Sequence, residues 1–280
     1  MLVARFGFAA ITPPVHIGFP MRLPLPSSAL ALLAAGLFAT ALFNTSCTTV
    51  LPIDPALLNP ATDSAIRPEA RPGGWTQRHE EFVAIARQGG VEVLFLGDSI
   101  TDFWRNRGKK IWDENYAPLH AANFGISADR TQHVLWRMQN GELDGINHKV
   151  IVLLIGTNNT GVETNGAPRN TTAEAIQGVT QVVHTLQTKL PGSKVLLLGI
   201  FPRADAKGPP PASGVIPQIN AALAKLDDGK LVRFVDFGAK FLGPDGQVAK
   251  ELFPDLLHPN EKGYAIWADA IRAPLAEMMR

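Results

Sequence analysis

The stretch that decides the fold is LFLGDSITDFW, residues 94–104. An apolar run ends at Gly97, and an acid and a serine, Asp98 and Ser99, follow immediately. Such a junction is typical of a buried strand that turns into a helix. Two interpretations of Ser99 stay open at this point. It either caps an ordinary helix or is a nucleophile held at the end of a strand, and the rest of the chain has to supply its partners.

Apolar runs of the same kind alternate with helical patterns along the chain. The predicted strands are 91–96, a strand ending at 122–124, 150–155, 194–200 and 231–236. The predicted helices are 75–88, 129–139, one that follows a capping box at Thr171 and Glu174, 217–227, and one from about residue 261. The run 150–155 is apolar throughout, which predicts a strand buried on both faces. The alternation predicts an α/β fold with a five-stranded parallel sheet covered by helices on both faces.

Composition narrows the classes of function. The 280 residues include 26 Lys and Arg against 25 Asp and Glu, and this balance gives no support for nucleic acid as a partner. The single cysteine, Cys47, excludes a disulfide within the chain and a cysteine-based metal cluster. HExxH, GxxxxGK[ST] and GxGxxG are absent, so no metal or cofactor is expected. The pair His79–Glu80 lacks a second histidine one turn on and is interpreted as solvated helix surface.

Residues 1–46 have the character of a signal peptide. They contain Arg5 and Arg22 but no acid, and residues 29–43 form an unbroken apolar stretch. That stretch is shorter than the roughly 20 residues that a membrane span needs. Because a basic segment begins at Met21, we expect translation to start there and residues 1–20 to be a mis-assigned extension.

Cys47 follows the apolar stretch directly and resembles the lipidated cysteine of bacterial lipoproteins, although Asn44 stands where leucine is usual. A lipoprotein, a plainly secreted protein and an uncleaved anchor all stay open, and each implies export to the periplasm or cell envelope. Residues 47–74 are rich in proline and end in Gly73-Gly74, which predicts an extended tether or a strap along the domain. Residues 75–280 are predicted to form one domain.

Glycines and polar residues follow the predicted strands. These segments are Gly97–Ser99 after the first strand, Asn123–Gly125 after the second, Gly156–Asn159 after the third, and Asp255–His258 before the last helix. Ligands of open parallel sheets bind at the carboxyl ends of the strands. The sequence therefore predicts that the four segments converge at one edge of the sheet.

Acyl transfer would explain this combination of residues. A serine nucleophile needs a base within hydrogen-bond reach, and the base needs a group that orients it. His258 lies in a loop with Asp255 three residues before it, and one helical turn would place both on the same side. His120 and His148 precede strands and fall at the edge of the sheet opposite Ser99. His16 lies in the predicted signal peptide, and the histidines within helices are expected at the surface.

Each segment alone has an ordinary interpretation. A Gly-Asp-Ser after a strand is more often a helix cap, Asn158 could satisfy a turn, and Gly125 could permit a tight bend. The occurrence of all four segments in this order favours an active site. The α/β-hydrolase elbow GxSxG is excluded, because Thr101 stands where its second glycine is required.

These motifs resemble those of the SGNH (GDSL-type) hydrolases. The strings NFGISADRTQHVLWRMQNGEL (123–143) and VLLIGTNNT (152–160) are similar to the branch of platelet-activating-factor acetylhydrolase α-subunits, with bacterial acetylesterases nearby. The resemblance extends from about Trp75 to the C-terminus. It implies a three-layer α/β/α flavodoxin-like fold and a serine esterase without metal or cofactor.

The resemblance also implies roles for individual residues. Ser99 would be the nucleophile, His258 the base and Asp255 its orienting acid, and the oxyanion donors would be the N–H groups of Ser99 and Gly125 and the side-chain amide of Asn158. The expected substrate is a short-chain, acetyl ester of a small molecule or carbohydrate. A lysophospholipase or platelet-activating-factor-type acetylhydrolase is the enzyme alternative, and a non-catalytic envelope protein that binds glycans or a partner is the alternative of another class. The aromatic residues Phe103, Trp104 and Trp136 either line a pocket or pack in the core.

Overall fold

The computed structural model describes residues 63–146, 148–204 and 214–280. The predicted signal peptide, Cys47 and the first part of the predicted tether lie outside the described residues. Within them, no helix combines the length and the apolar character that crossing a membrane requires.

Five strands form one parallel sheet. They are β1 (Val93–Gly97), β2 (Ala121–Gly125), β3 (Val150–Leu154), β4 (Lys194–Leu198) and β5 (Val232–Val235). Their order is β2-β1-β3-β4-β5, and every neighbouring pair is parallel. All residues of β3 are buried, as the apolar run predicted. The predicted five-stranded parallel sheet is confirmed.

Helices cover both faces of the sheet. The described helices are α1 (Gly74–Gln88), α2 (Ser99–Asp102), α3 (Lys109–Asn115), α4 (Thr131–Gln139), α5 (Thr172–Lys189), α6 (Val215–Leu223) and α7 (Glu261–Met278). Because side chains alternate along a strand, Leu94 and Leu96 belong to the apolar cluster on the face covered by α1, α4, α5 and α6, whereas Val93 and Phe95 belong to the cluster on the face covered by α3 and α7. This is the three-layer α/β/α arrangement.

The capping box predicted at the start of α5 is present. The Glu174 N–H donates to the Thr171 hydroxyl at 3.2 Å, and the Thr171 N–H donates to the Glu174 carboxylate at 2.8 Å. Ile176, Val179, Val183 and Leu186 recur at three- and four-residue intervals, which predicts one core-facing side; Val179, Val183 and Leu186 are buried there, and Ile176 is partly buried. The helix is thereby fixed at its N-terminus, beside the loop that follows β3.

The described part of the proline-rich segment lies against the domain. Residues 64–66 form a short 3₁₀ helix in which Ala65 and Ile66 are buried. The Thr131 hydroxyl donates to the Ala65 carbonyl at 2.7 Å, and the Glu69 N–H donates to the Gln132 carbonyl. Residues 63–73 therefore form a strap on α4, which was one of the two arrangements considered for this segment.

Two helical histidines are buried, contrary to the expectation of surface positions. His79 is only 5% exposed, and its Nε2 lies 3.0 Å from the Asn140 carbonyl oxygen, while the Trp75 ring stacks beside it. His133 is 7% exposed and its Nδ1 accepts the Arg130 N–H at 2.9 Å. The interpretation of His79 as solvated surface is wrong, because its side of α1 packs against Trp136 of α4 and Asn140 at the end of that helix.

A third histidine, His148, is also buried, and together with His133 it is expected to make the stability of the fold depend on pH. Burial lowers the pKa of His148 to about 4, against the opposing hydrogen bond to the Val91 carbonyl, and burial next to several arginines lowers the pKa of His133 to about 3. The unfolded chain binds protons at these rings below about pH 6.5. The free energy of unfolding is therefore expected to fall as the pH drops from 6.5 towards 4.

The variant His148→Gln keeps a side-chain donor but cannot be protonated in the unfolded chain. We expect its melting temperature to fall less between pH 7 and pH 5 than that of the wild type, measured by circular dichroism. His184→Gln, at a partly exposed position on α5, is the matched control. Parallel pH profiles for wild type and His148→Gln would contradict the expectation.

Candidate active site

The predicted nucleophile, Ser99, lies at the junction of β1 and α2. Gly97 ends β1 and packs closely against the end of β3. A Cβ added to Gly97 would lie 2.3 Å from the Leu154 carbonyl oxygen. Asp98 is the N-cap residue, and its Oδ1 accepts the Ile100 N–H at 2.9 Å. Ser99 is the first residue of α2, so Asp98 provides the cap and leaves the Ser99 hydroxyl for other contacts.

Asp98 is buried directly behind the serine. Burial raises the pKa of its carboxyl group to about 7, against the opposing hydrogen bond from Ile100. On the far side of α2, the Tyr264 hydroxyl donates to the Ile100 carbonyl at 2.7 Å. These contacts anchor the single turn of helix that holds Ser99 to both β1 and α7.

The predicted base and acid lie in line with Ser99. The distance from the Ser99 Oγ to the His258 Nε2 is 2.9 Å, and the distance from the His258 Nδ1 to the Asp255 Oδ2 is also 2.9 Å. The Asp255 Oδ1 accepts the N–H groups of Leu257 and His258 at 3.1 and 2.7 Å. The two residues share a side through this side-chain-capped turn rather than through the helical turn expected from the sequence.

Asp255 remains ionised at neutral pH. Its burial acts to raise its pKa, but the backbone N–H and the ring of His258, together with the N–H of Leu257, outweigh burial and lower the pKa to about 2. The Arg107 guanidinium lies 3.3 Å from the Asp255 Oδ2. A carboxylate so placed can accept the Nδ1 proton of His258, which would leave Nε2 able to accept a proton from the Ser99 hydroxyl.

The remaining predicted residues, Gly125 and Asn158, lie at the ends of β2 and β3. An added Cβ on Gly125 would lie 2.3 Å from the Asp102 backbone nitrogen, so β2 packs tightly against α2 at this point. The Gly125 N–H donates to the Asn123 Oδ1 at 2.9 Å. The Asn158 Nδ2 donates to the Asp129 carbonyl at 2.9 Å. Neither of these two hydrogen bonds is made to Ser99, and the Asn158 carbonyl also accepts the Arg169 Nη1 at 3.1 Å.

The aromatic residues near the site divide between the core and the rim. Trp104 is fully buried against Tyr264 and Trp267, and it lines a surface cavity together with Trp112 and Asn123. Phe103 is partly exposed, and its ring centroid lies 4.9 Å from that of His258. Trp136 packs against His79 and Trp75. Of the three, Phe103 is the residue that borders the site.

A buried charged group behind the site was missed in the sequence. Arg137, Asp129 and Glu142 are completely buried, with Arg137 paired to both acids. Burial acts to raise the pKa of Asp129, and the guanidinium groups of Arg137 and Arg71 and the indole of Trp75 act against it. The sequence did contain a signal for the burial of Arg137, because Arg137 falls on the apolar face of α4, three residues after Val134.

Comparison with known proteins gives the family. A model of the GDSL-like lipase/acylhydrolase family matches residues 95–266. The chain belongs to this family. The human platelet-activating factor acetylhydrolase IB subunit alpha2 is 36% identical over 210 residues, which cover 73% of this chain and 83% of that protein. The GDSL-like protein is accordingly an ester hydrolase, as its family and its relatives are.

Solved structures share the fold of this GDSL-like hydrolase. A GDSL-like lipase from Bacteroides thetaiotaomicron has a TM-score of 0.55 at 16% identity and covers 72% of this chain and 97% of its own. An acetyl xylan esterase has a TM-score of 0.52 at 22% identity, and the match covers 66% of this chain and 100% of the esterase. At such identities the likeness establishes the α/β fold alone.

Proposed function

We propose that this hydrolase cleaves acetyl esters with Ser99 as nucleophile, His258 as general base and Asp255 as the residue that orients His258. The observation that carries the proposal is the pair of 2.9 Å contacts that joins the three side chains in line. A hydroxyl within this distance of a neutral imidazole can lose its proton as it attacks a carbonyl carbon.

The reaction then follows in two steps. The Ser99 Oγ attacks the ester carbonyl carbon while its proton passes to His258, and the tetrahedral intermediate expels the alcohol, which takes the proton from His258. Water next attacks the acetyl-Ser99 ester, gives its proton to His258, and releases acetate as the proton returns to Ser99. The reaction needs no redox partner.

The proposed oxyanion donors are the N–H groups of Ser99 and Gly125 and the side-chain amide of Asn158. The Ser99 N–H begins a helix, where backbone donors face outward and favour negative charge. A side-chain amide nitrogen carries two hydrogens, so Asn158 can keep its contact with Asp129 and still offer one to the oxyanion. The Gly125 N–H would exchange its contact with Asn123 for the oxyanion.

The acetyl group is supported by the curated relatives, which are named acetylhydrolases and are 33–36% identical to this chain. The same relatives favour a platelet-activating-factor-type lipid as the second candidate acyl donor. An acetylated carbohydrate is the other acceptor class that we propose to test, since an acetyl xylan esterase shares the fold.

The test combines labelling with a substrate panel. We expect a fluorophosphonate probe to modify Ser99, identified by peptide mass spectrometry, and p-nitrophenyl acetate to be cleaved faster than the butyrate and octanoate esters. Acetylated xylan, an sn-2 acetyl phospholipid and a lysophospholipid then separate the acceptor classes. Absence of both labelling and turnover would favour the non-catalytic glycan- or partner-binding alternative.

We also propose that residues 1–46 direct export and that Cys47 carries a lipid anchor to the cell envelope. The apolar stretch 29–43 and the small residues before Cys47 support this. Mass spectrometry of the mature N-terminus tests it. A lipidated Cys47 is expected, and an unmodified N-terminus or a peptide from residues 1–20 would contradict the corresponding part of the proposal.

A further inference from the structure

The buried group formed by Arg137, Asp129 and Glu142 is positioned to control the proposed active site. All three side chains have no solvent exposure. Removing charges from water is costly unless they are paired with good geometry. In the interior of this hydrolase Arg137 lies against both acids: its Nη1 donates to the Glu142 carboxylate, and its Nε lies 3.0 Å from the Asp129 Oδ2 as an ion pair without hydrogen-bond geometry.

Arg137 joins this charged group to the ends of the two strands that carry Ser99 and Gly125. Its Nη1 donates to the Phe124 carbonyl at 3.1 Å, and its Nη2 lies 3.4 Å from the Gly97 carbonyl oxygen. Phe124 immediately precedes Gly125, and Gly97 lies two residues before Ser99. One planar guanidinium therefore links the ends of β2 and β1, which a point charge such as lysine cannot do in the same way.

Asp129 joins the same group to Asn158. Its Oδ1 accepts the Trp75 indole N–H at 2.7 Å and the Arg71 guanidinium at 3.0 Å, while its Oδ2 faces Arg137. With its side chain held from three directions, its backbone carbonyl accepts the Asn158 Nδ2 at 2.9 Å. The charged group thus reaches the third proposed oxyanion donor through the backbone of Asp129.

The backbone next to Asp129 is strained. Ala128 has a φ of +66°, a left-handed conformation that residues with a side chain rarely adopt. Such strain persists only where the surroundings over-determine the conformation, and it concentrates at functional sites. The ion pairs of Asp129 provide that constraint directly after the strained residue.

We propose that Arg137 and Asp129 are positioning residues that hold one proposed oxyanion donor, the Asn158 amide, through the Asp129 carbonyl in the geometry that the tetrahedral intermediate requires. The inference rests on the proposed function, since it assumes that Asn158 is an oxyanion donor. Its prediction is specific: Arg137 acts through Asn158, so its contribution disappears once the Asn158 amide is gone.

The test is a double-mutant cycle with p-nitrophenyl acetate on full-length protein. We expect Asn158→Ala to lower kcat by about 10²- to 10³-fold. Arg137→Lys, which keeps the positive charge, is expected to lower kcat by about 10- to 100-fold with KM nearly unchanged, because a small misplacement of a catalytic donor is costly. The double variant should fall no more than about threefold below Asn158→Ala alone.

Each outcome of the cycle has one meaning. Losses that multiply in the double variant, or a kcat for Arg137→Lys within twofold of wild type, would overturn the positioning role while leaving the proposed function intact. Full activity of Asn158→Ala would contradict the oxyanion assignment in the proposed function, and the positioning role with it. Arg233→Lys, an exposed arginine paired with Glu277, is the matched control and should keep wild-type kcat.

Arg71 provides a second route if Arg137→Lys does not fold. Arg71 is 30% exposed and contacts the Asp129 Oδ1 and the Ser127 carbonyl, so Arg71→Gln opens no cavity in the core. We expect Arg71→Gln to lower kcat less than Arg137→Lys does, and to cause no further loss in the Asn158→Ala background. Arg71→Lys should restore kcat towards the wild-type value. A kcat that stays at the wild-type value in Arg71→Gln, or an additive loss, would overturn the proposal.

Discussion

Ser99→Ala is expected to lower kcat/KM for p-nitrophenyl acetate by at least about 10⁴-fold, because no acyl-enzyme can form without the hydroxyl. His258→Ala should cause a loss of similar size. The double variant should be no worse than either single variant, since the two side chains act as one unit through their 2.9 Å contact. Hydrolysis of p-nitrophenyl acetate, followed by the absorbance of p-nitrophenolate, measures all three.

Ser193→Ala is the matched control for Ser99→Ala. Ser193 is likewise a buried serine, and its hydroxyl donates to the His148 carbonyl at 2.7 Å at the opposite edge of the sheet. We expect this variant to lose stability, by about 1 kcal/mol for one hydrogen bond, and to keep its kcat/KM. Ser99→Ala should show the reverse pattern, with a melting temperature close to that of wild type. Retention of more than about 1% of wild-type activity in Ser99→Ala would contradict its role as nucleophile.

The sheet could be predicted because buried parallel strands have a clear sequence pattern. Each apolar run ends where its polar or glycine-rich continuation begins, and the parallel topology then brings those continuations to one edge. Ser99, His258 and Asp255 were identified in this way, and the structure joins them in line. The requirements of acyl transfer limited the choice of histidine, since His258 has a carboxylate three residues before it.

The single turn α2 could not be predicted in detail because it is too short for a periodic pattern. With four residues, Ser99–Asp102, its start is decided by the cap, and Asp98 rather than Ser99 provides it. The structure therefore excludes Ser99 as the side-chain cap of α2, and its role as nucleophile stays a proposal. The aspartate caps the helix, and the serine hydroxyl faces His258.

The buried polar residues were missed because polar side chains in helices were assigned to the surface. The periodicity contained the contrary signal: His79 follows Trp75 by four residues and precedes Phe82 by three, and both aromatic rings are buried on the inner face of α1. Arg137 stands on the inner face of α4 in the same way. A polar residue on an apolar helix face requires partners within the protein. The His79 ring lies against the Asn140 carbonyl at the end of α4, and the Arg137 guanidinium contacts the carbonyls of Phe124 and Gly97 at the ends of β2 and β1.

Asp255→Asn is expected to lower kcat by about 10³- to 10⁴-fold, although the change replaces one atom. The Asp255 Oδ1 accepts two backbone N–H groups, from Leu257 and His258, whereas the Oδ2 faces the His258 Nδ1. In asparagine the oxygen takes the position with two donors, so the amide NH₂ faces the ring. The Nδ1 must then accept, the proton moves to Nε2, and Nε2 can no longer accept the proton of Ser99.

The control for this variant is Asp113→Asn, an exposed aspartate paired with Lys109, which should keep wild-type kcat. The chemical shifts of the His258 ring nitrogens should report the change of tautomer in Asp255→Asn. Because the pKa of Asp255 is about 2, wild-type activity above about pH 4 should show no titration of this carboxylate.

Stability gives an independent measure of the same contacts. An acid whose folded-state pKa is depressed stabilises the fold above its unfolded pKa of about 3.9, and that contribution is lost as the pH falls through the folded value. Any stability advantage of wild type over Asp255→Asn should therefore shrink as the pH is lowered from 5 towards 2. A kcat of Asp255→Asn within tenfold of wild type would show that His258 keeps its tautomer without the carboxylate, and would remove Asp255 from the proposed mechanism.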